Sequence, residues 1–209
     1  MKVLGITGGV GAGKSTVLEY LRERYQVRVI LADEVGRVLQ QPGQACYAQI
    51  VRAFGSGILQ EDAAETGVRT GEIDRQKLSA IVFADIDQLS RLNAIVHPAV
   101  KAYIIEEIEK EKQQQIVPFV VIEAALLFED HYDQICDEIW YIHTDKETRM
   151  RRLAKSRGYT EQKSCRIMEN QMSEEQYREK CNLVIDNSSE FVENTYEQID
   201  EGLIRHGFL

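Results

Sequence analysis

A glycine-rich stretch near the N-terminus, Gly8–Thr16, constrains this chain more than any other part of the sequence. It reads GGVGAGKST and fits the pattern G-x-x-x-x-G-K-[ST], with Gly13, Lys14 and Ser15 at its end. Residues 3–7 before it read as a short buried strand, and the residues after it carry apolar side chains at helical spacing. A strand, a glycine loop and a helix in this order predict a phosphate-binding P-loop.

The chemistry of such a loop explains its residue types. Backbone N–H groups turn toward phosphate oxygens only where the chain adopts unusual φ values without a Cβ in the way, which glycine allows. The start of the following helix adds its positive end. Lys14 would reach the β- and γ-phosphates of a nucleoside triphosphate, and the Ser15 hydroxyl would bind Mg²⁺. The alternative is a glycine-rich turn that binds nothing.

Composition limits the remaining possibilities. The chain has 209 residues, 44% of them hydrophobic, and a formal net charge of −9. This charge argues against general binding to nucleic acid or to an anionic membrane. No apolar run approaches the length of a membrane span, and the N-terminus enters a strand directly, so we expect a cytoplasmic protein without a signal peptide. The four cysteines are scattered without a C-x-x-C pair, which predicts free thiols rather than a zinc site.

Five apolar segments separated by helical patterns predict an α/β fold with a parallel sheet of about five strands. The predicted strands are residues 3–7, 27–31, 119–122, 138–143 and 183–185. The helices predicted between and after them are residues 16–24, 34–40, 146–157, 161–171 and 190–205.

The segment 44–115 is too long for an ordinary crossover and is predicted to be a helical insertion without a strand. Residues 55–71 are polar and glycine-rich, so we expect a loop there. Asp74 is expected to cap a helix that runs to about Phe83. A further helix is expected over residues 87–96, and Pro98 suits the first turn of a separate long helix that reaches Glu111.

Three polar residues follow predicted strands, where ligands of parallel sheets bind. Asp33 ends a strand expected to lie beside the P-loop strand; it would accept a proton from an attacking hydroxyl or hold Mg²⁺ through water, or else cap the next helix. Glu123 would orient the water shell of the metal, or is a strand-end charge near solvent. Asn187 follows the last strand.

The predicted helix 146–157 carries six basic side chains against one acid, Glu147, in an otherwise acidic chain. One interpretation is a solvated helix face. The other is a lid that brings arginines onto the phosphates and stabilises the charge that is transferred, with Arg166 of the next helix joining it.

Taken together, these residues resemble the dephospho-coenzyme A kinase family over the whole length of the chain. The resemblance is carried by GITGGVGAGKST at 5–16, Ala32-Asp33, Pro42-Gly43, Asp74-Arg75 with Leu78, LNAIVHP at 92–98, LLFE at 126–129, Arg166-Ile167 with Gln171, and VIDN at 184–187. The chain departs from the family at Leu31 and Glu123, where Asp is usual, and at Ala125, where proline is common. Arg157 also lies one residue later than the family pattern places the lid arginine.

The resemblance implies a P-loop kinase-type three-layer fold. It implies a single domain over residues 1–209, with a helical substrate (CoA) lobe at 44–115 and a helical lid at about 146–171. The implied reaction is ATP-dependent phosphorylation of the ribose 3′-hydroxyl of dephospho-CoA, giving CoA and ADP, which is the last step of CoA biosynthesis. The implied partners are these small molecules and Mg²⁺, without nucleic acid or membrane, in a monomer or a weak homo-oligomer.

The same resemblance implies roles for individual residues. Asp33 would be the catalytic base, with Lys14 and Ser15 serving ATP and Mg²⁺ and Glu123 reaching the metal through water. ATP would be bound by Gly8, Gly11, Ala12, Gly13, Lys14, Ser15 and Thr16, with Asn187 near its adenine. Dephospho-CoA would be faced by Asp33, Arg75, His97, Leu127 and Glu129. The lid arginines would come from Arg149, Arg152, Arg157 and Arg166.

Two other functions fit parts of the pattern. A nucleoside monophosphate kinase would share the P-loop and the lid and differ in the acceptor lobe. A GTPase-type switch is suggested by the D-x-x-G pattern at residues 33–36, but the chain has no Asn-Lys-x-Asp for guanine. The nucleotide that raises the melting temperature, ATP or GTP, would separate the switch from the kinases.

Overall fold

The structure is a computed structural model that describes residues 1–61 and 69–209. The strands among these residues are β1 (Lys2–Thr7), β2 (Arg28–Leu31), β3 (Leu59–Glu61), β4 (Arg69–Ile73), β5 (Phe119–Glu123), β6 (Glu138–His143) and β7 (Leu183–Asp186). The α-helices are α1 (Lys14–Tyr25), α2 (Ala32–Leu39), α3 (Tyr47–Phe54), α4 (Arg75–Ala84), α5 (Ile86–Gln114), α6 (Lys146–Arg157), α7 (Glu161–Glu169), α8 (Glu174–Lys180) and α9 (Glu193–Arg205).

The main sheet of the described residues has the strand order β2-β5-β1-β6-β7, and all its neighbouring pairs are parallel. The predicted α/β fold with about five parallel strands is therefore confirmed. The expectation that β2 lies beside the P-loop strand β1 was wrong, because β2 pairs with β5. The four buried apolar residues 119–122 suit β5 to an interior position, whereas β2 carries the exposed Arg28 and forms an edge.

Helices cover both faces of this sheet. On one face, Leu4 and Ile6 of β1 belong to a buried cluster with residues of α1 and α9, including Val17, Leu21 and Ile199. On the other face, α8 places Tyr177 on Tyr141 of β6, with their rings stacked at 4.6 Å between centroids. Burying each large aliphatic side chain contributes about 1.5–3 kcal/mol, so the two-sided burial holds β1 and β6 rigidly beneath the glycine loop.

The described residues divide into two compact units. The first contains Met1–Leu31 and Ile108–Leu209, and the second contains Ala32–Glu107. The second unit begins before the predicted lobe boundary at residue 44 and ends before residue 115. Within it, α2 packs on α5, since a Cβ added at Gly36 would lie 3.6 Å from Val100 and 3.7 Å from Val96. That contact assigns α2 to the second unit.

The prediction that the insertion contains no strand was wrong. β3 and β4 pair in antiparallel fashion, with Leu59 opposite Ile73. Ile58 and Ile73 are buried, and the Asp74 N–H donates to the Ile58 carbonyl at 2.8 Å. Strands this short carry too few alternating residues to signal themselves in the sequence. The middle of the predicted loop 55–71, residues 62–68, lies outside the described residues.

The predicted helix junction at His97-Pro98 was also wrong, because α5 runs without interruption through Pro98. Proline in a helix interior removes one hydrogen bond and costs about 3 kcal/mol. Val100, Ile104 and Ile108 are buried at a spacing of four residues, and burial of this stripe offsets the cost. Within the described part of the chain, neither α5 nor any other helix is long and apolar enough to cross a membrane.

Several helix boundaries also differ from the predictions. α2 begins at Ala32, so Asp33 lies in its first turn rather than at the end of β2. α7 ends at Glu169, and α8 was not predicted; its N-terminus is fixed by a capping box in which Ser173 and Gln176 bond each other reciprocally. α9 begins at Glu193 instead of residue 190.

Gly202 provides a test of the packing between α9 and the sheet. A Cβ added there would lie 2.7 Å from Leu183 Cδ2 and 3.0 Å from Trp140 Cη2. Overpacking of this kind costs about 1–3 kcal/mol, and the better helix propensity of alanine returns about 1 kcal/mol. Because a contact of 2.7 Å is closer than side-chain carbons pack, the overpacking lies toward the upper end of this range, and we expect Gly202→Ala to lower the free energy of unfolding by a net of about 1–2 kcal/mol in denaturant titrations.

The matched control is Gly57→Ala, because a Cβ at Gly57 would meet no atom within 4 Å. This variant should unfold like the wild type or slightly later. Equal stability of both variants would contradict the tight contact of α9 with β7.

Candidate functional site

The glycine loop between β1 and α1 needs glycine for two separate reasons. Gly13 has φ 84°, and a Cβ there would lie 2.3 Å from the Asn187 Nδ2 atom. Gly8 has φ 153°, and a Cβ there would lie 2.6 Å from the Ile142 carbonyl oxygen. The loop therefore packs directly against the ends of β6 and β7. A side chain at Gly8 or at Gly13 would prevent this contact.

Lys14 begins α1, and its ammonium lies at the mouth of the loop. Its Nζ donates to the Gly8 carbonyl at 2.7 Å and lies 3.5 Å from Glu123 Oε1. Both side chains are largely buried, with 18% and 14% of their area exposed. Ser15 and Thr16 follow and are exposed. The structure thus brings the predicted Lys14 and Glu123 together at the carboxyl ends of β1 and β5.

Asn187 ties the loop to the last strand of the sheet. Its Nδ2 donates to the Ala12 carbonyl at 2.8 Å, and its Oδ1 accepts from the Thr195 hydroxyl at 2.9 Å. The residue is 4% exposed. Ala12 is buried, and its carbonyl also lies 3.0 Å from the Thr144 hydroxyl at the end of β6. The side chain of Asn187 therefore fixes the backbone of the glycine loop at Ala12.

Two of the four predicted lid arginines contact this assembly. Arg149 Nε donates to the Val10 carbonyl at 2.8 Å. Arg152 NH2 donates to the Asn187 carbonyl at 3.0 Å. Both are half-buried, so the alternative of a wholly solvated helix face does not describe them. Arg157 and Arg166 are exposed in this structure and are not brought to the loop.

The environment of these arginines favours an anion. Burial lowers the pKa of Arg149. Burial also lowers the pKa of Arg152, and the positive charge of the neighbouring Arg151 lowers it further. Burial and Glu174 raise the pKa of Tyr141, beside Arg149, to about 12, so it stays neutral at physiological pH. Two guanidinium groups removed from water in this way gain from any bound phosphate that offers them negative charge.

The turn after β5 separates the two residues predicted in it. Leu127 is 1% exposed, and its side chain would touch a Cβ added at Gly5, so it belongs to the core of the first unit. Glu129 is exposed. Burial raises the pKa of Tyr177 on α8, and the nearby negative charge of Glu129 raises it further. Glu129 is thus the member of this pair whose side chain is accessible to a ligand.

The second unit holds the other predicted acceptor residues. Asp33 is exposed in the first turn of α2, and His97 lies half-buried inside α5. Arg75 is the first residue of α4, whose N-cap is Asp74, accepting from the Gln76 and Lys77 N–H groups. Arg75 lines a cavity of about 690 Å³, together with a second arginine, two acids and four glutamines: Arg37, Glu72, Asp74, Gln40, Gln41, Gln60 and Gln76.

Sequence reasoning assigned no role to Thr144, Arg37 or Gln171. Thr144 lies one residue beyond the predicted strand 138–143, and only the fold brings it to the loop. Gln171 was noted as part of the family resemblance but without a role. The structure places its Oε1 3.0 Å from the Val10 backbone nitrogen. A glutamine between two helices gives no local signal of such a contact.

Comparisons with known proteins agree with this geometry. The family model described as dephospho-CoA kinase (CoaE) matches residues 2–193. The chain is 36% identical over 201 residues to the dephospho-CoA kinase of Oceanobacillus iheyensis, and the match covers 96% of each chain. The chain belongs to the dephospho-CoA kinase family. The family that the sequence resembles and the small-molecule kinase class are confirmed, and the interpretation as a GTPase-type switch is set aside.

Solved structures support the same fold. A Thermus thermophilus protein superposes with a TM-score of 0.80 and 25% identity, covering 98% of this chain and 97% of that one. The dephospho-CoA kinase of Campylobacter jejuni superposes with a TM-score of 0.71 and 21% identity over the full length of both chains. At this identity the second match indicates the fold alone.

Asn187 allows the loop seat to be tested. Asn187→Ala removes the donor to Ala12 and leaves the buried Thr195 hydroxyl without its acceptor. The unsatisfied Thr195 hydroxyl costs about 1–3 kcal/mol, and the lost hydrogen bond to Ala12, whose carbonyl keeps Thr144 as a donor, costs about 0.5–1.5 kcal/mol, so we expect a loss of about 2–4 kcal/mol in the free energy of unfolding. The affinity for ATP should also fall, because the loop backbone is no longer held. Denaturant titration and calorimetric ATP binding measure the two effects.

The matched control is Asn194→Ala, since Asn194 is exposed and its side chain donates to the hydroxyl of the nearby Ser189. It should remain within about 0.5 kcal/mol of the wild type and bind ATP normally. Normal ATP affinity in Asn187→Ala would show that the loop keeps its shape without this hydrogen bond.

Proposed function

We propose that this protein transfers the γ-phosphoryl group of ATP to the ribose 3′-hydroxyl of dephospho-CoA, releasing CoA and ADP. One observation carries the proposal: in a chain of the dephospho-CoA kinase family, Lys14, Arg149 and Arg152 meet around one P-loop. Three cations around a loop of backbone N–H groups suit the triphosphate of ATP and the charge that moves during transfer.

The P-loop side of the reaction rests on the first unit. The loop backbone and Lys14 hold the β- and γ-phosphates. Asn187 lies near the adenine and holds the loop in place through its hydrogen bond to Ala12. Arg149 and Arg152 offset charge on the transferring group, and the helices of residues 146–171 exclude water when both substrates are bound. Arg157 and Arg166 are candidates for contacts made only when those helices have closed.

The residues fit Mg²⁺ in the manner expected of a nucleotide-bound ion. Mg²⁺ usually keeps several waters and takes few protein ligands besides phosphate oxygens. The exposed Ser15 hydroxyl would supply one ligand, and Glu123 would bind a water of the shell. Among residues 1–61 and 69–209 no cluster of three or more His, Cys, Asp or Glu is arranged to hold a metal without the nucleotide. The ion would supply positive charge that offsets the negative charge of the phosphates during transfer.

Most residues proposed for the acceptor side belong to the second unit. Dephospho-CoA carries a pyrophosphate, and the guanidinium groups of Arg37 and Arg75 in the 690 Å³ cavity suit that group. Of the two acids in the cavity, Asp74 is engaged in capping α4, and Glu72 would lie away from the pyrophosphate. The glutamines of the cavity offer both donors and acceptors to the remaining polar groups. His97 and Glu129 complete the set of residues proposed to face the acceptor, and Leu127 acts by supporting the turn that carries Glu129.

Asp33 is proposed as the general base. The 3′-oxygen of the ribose forms a bond to the γ-phosphorus while the bond to the β,γ-bridging oxygen breaks and ADP leaves. The hydroxyl proton passes to the Asp33 carboxylate. Transfer of this kind depends mainly on positioning and charge stabilisation, and the base contributes about 10²–10⁴ in rate. Leu31 cannot share the task, so Asp33 is the single carboxylate of its motif.

The acceptor is identified by analysing the product. We expect phosphate on the ribose 3′-oxygen when ATP and dephospho-CoA are supplied, detected by mass spectrometry and phosphorus NMR. AMP and shikimate serve as control acceptors and should give little turnover. Transfer to AMP with a comparable kcat/KM would overturn the proposal and favour a nucleoside monophosphate kinase.

Asp33→Asn tests the base. The variant keeps the shape of the side chain but cannot accept the proton, so we expect kcat to fall by about 10²-fold or more while the Kd values for ATP and dephospho-CoA stay near those of the wild type. Glu34→Gln is the matched control, because Glu34 is exposed in the same turn of α2. An unchanged kcat with a lower Tm would make Asp33 a helix-stabilising residue instead, and loss of Mg²⁺-dependent ATP binding would assign it to the metal.

A further inference from the structure

The segment around Gln171 links the lid helices to the sheet and is anchored on both sides. On its N-terminal side the Gln171 N–H donates to the Met168 carbonyl at 3.2 Å, closing the end of α7. On its C-terminal side the capping box of Ser173 starts α8, and the buried Tyr177 of α8 stacks on Tyr141. The backbone at Gln171 is therefore fixed relative to β6.

From this position Gln171 bonds two partners at once. Its Oε1 accepts from the Val10 N–H at 3.0 Å and from Arg149 NH2 at 3.0 Å. Arg149 Nε in turn donates to the Val10 carbonyl at 2.8 Å. The three residues form a closed triangle in which both polar groups of the Val10 backbone are engaged. The triangle fixes the guanidinium in position and rotation over the glycine loop.

Gly9 supplies the space for that guanidinium. A Cβ added at Gly9 would lie 2.3 Å from Arg149 NH2, 2.6 Å from Cζ and 2.9 Å from NH1. Gly9 is not among the glycines with positive φ, so the backbone there does not itself require glycine. Its missing side chain is needed because the Arg149 guanidinium lies directly against the loop.

We propose that Gln171 is a positioning residue that holds Arg149 over the P-loop for phosphoryl transfer, with Gly9 as the seat of the guanidinium. The inference rests on the proposed function. Three of the five N–H donors of Arg149 take no part in these hydrogen bonds within the described residues and remain for phosphate oxygens. A guanidinium fixed in advance stabilises transferring charge without reorganising during the reaction.

The first test is Gln171→Met, which keeps the length of the side chain and removes the acceptor. We expect kcat to fall about 10- to 100-fold, since misplacing a catalytic group by about 1 Å can cost that much. KM for ATP should change by less than about threefold, because the triangle orients the transferring group rather than the bound nucleotide as a whole. Gln162→Met is the matched control on the exposed surface of α7 and should match the wild type.

A double-mutant cycle separates positioning from general damage. Arg149→Lys keeps a positive charge but cannot complete the triangle. If Gln171 acts through Arg149, adding Gln171→Met to Arg149→Lys should lower kcat by less than about twofold further. A full additional loss in the double variant would mean that Gln171 acts independently of Arg149 and would overturn the inference.

Gly9→Ala perturbs the same contact while leaving both side chains intact. It should lower kcat like Gln171→Met, and the two changes should not add. Hydrogen exchange of the Val10 amide supplies a readout that does not depend on the acceptor: it should be slow in the wild type and faster in Gln171→Met. If wild-type protein fails to phosphorylate dephospho-CoA, the proposed function falls, while exchange and ATP binding still test the triangle. Unchanged Val10 exchange, or an unchanged kcat in Gln171→Met, would overturn the role of Gln171.

Discussion

The hydrogen bond from Asn187 Nδ2 to the Ala12 carbonyl joins the glycine loop to the opposite end of the chain, 175 residues later. It is possible only because β1, β6 and β7 are adjacent and parallel, so that their carboxyl ends meet at one edge. The Asn187 N–H donates to the His143 carbonyl at 2.8 Å, which fixes the amide relative to β6. The contacts with the sheet thus determine the conformation of the glycine loop, and the loop presents its N–H groups in a fixed arrangement.

The sequence predicted those parts of the fold that have strong local patterns. A few neighbouring residues are enough to predict a buried strand from the apolar run 119–122. The same holds for the phosphate loop, which is predicted from the motif that contains Lys14. Strand order has no such local signature, and β2 was therefore placed beside the wrong strand. A helix start at Pro98 was inferred from the preference of proline for the first helical turn. In the structure α5 continues through Pro98, because burial along α5 outweighs the local cost of about 3 kcal/mol. At Pro98, tertiary packing therefore outweighs the low helix propensity of proline.

The site shows the same division between local and distant information. Lys14 was assigned from its motif, whereas the charge run of helix α6 was compatible with a lid or with a solvated face, and the family resemblance named Arg149, Arg152 and Arg157 together. The fold distinguishes them: Arg149 and Arg152 turn toward the loop, and Arg157 remains in solvent. Gln171 and Thr144 were missed because each acts on backbone groups far away in the sequence. Backbone partners leave no pattern of residue types by which such contacts could be recognised.

The charges around the loop are also arranged unequally. Lys14 has a carboxylate partner in Glu123, 3.5 Å away. The hydrogen bonds of Arg149 and Arg152 within the described residues go to neutral oxygens, namely those of Val10, Gln171, Thr144 and Asn187. Neutral acceptors orient a guanidinium without offsetting its charge, and only Arg152 of the two gains from a carboxylate in the described residues, that of Asp145. In a chain of net charge −9, Arg149 and Arg152 thus keep much of their positive charge available beside the P-loop. Oriented charge of this kind acts most strongly where water is excluded, which is the condition that phosphoryl transfer to an alcohol instead of water requires.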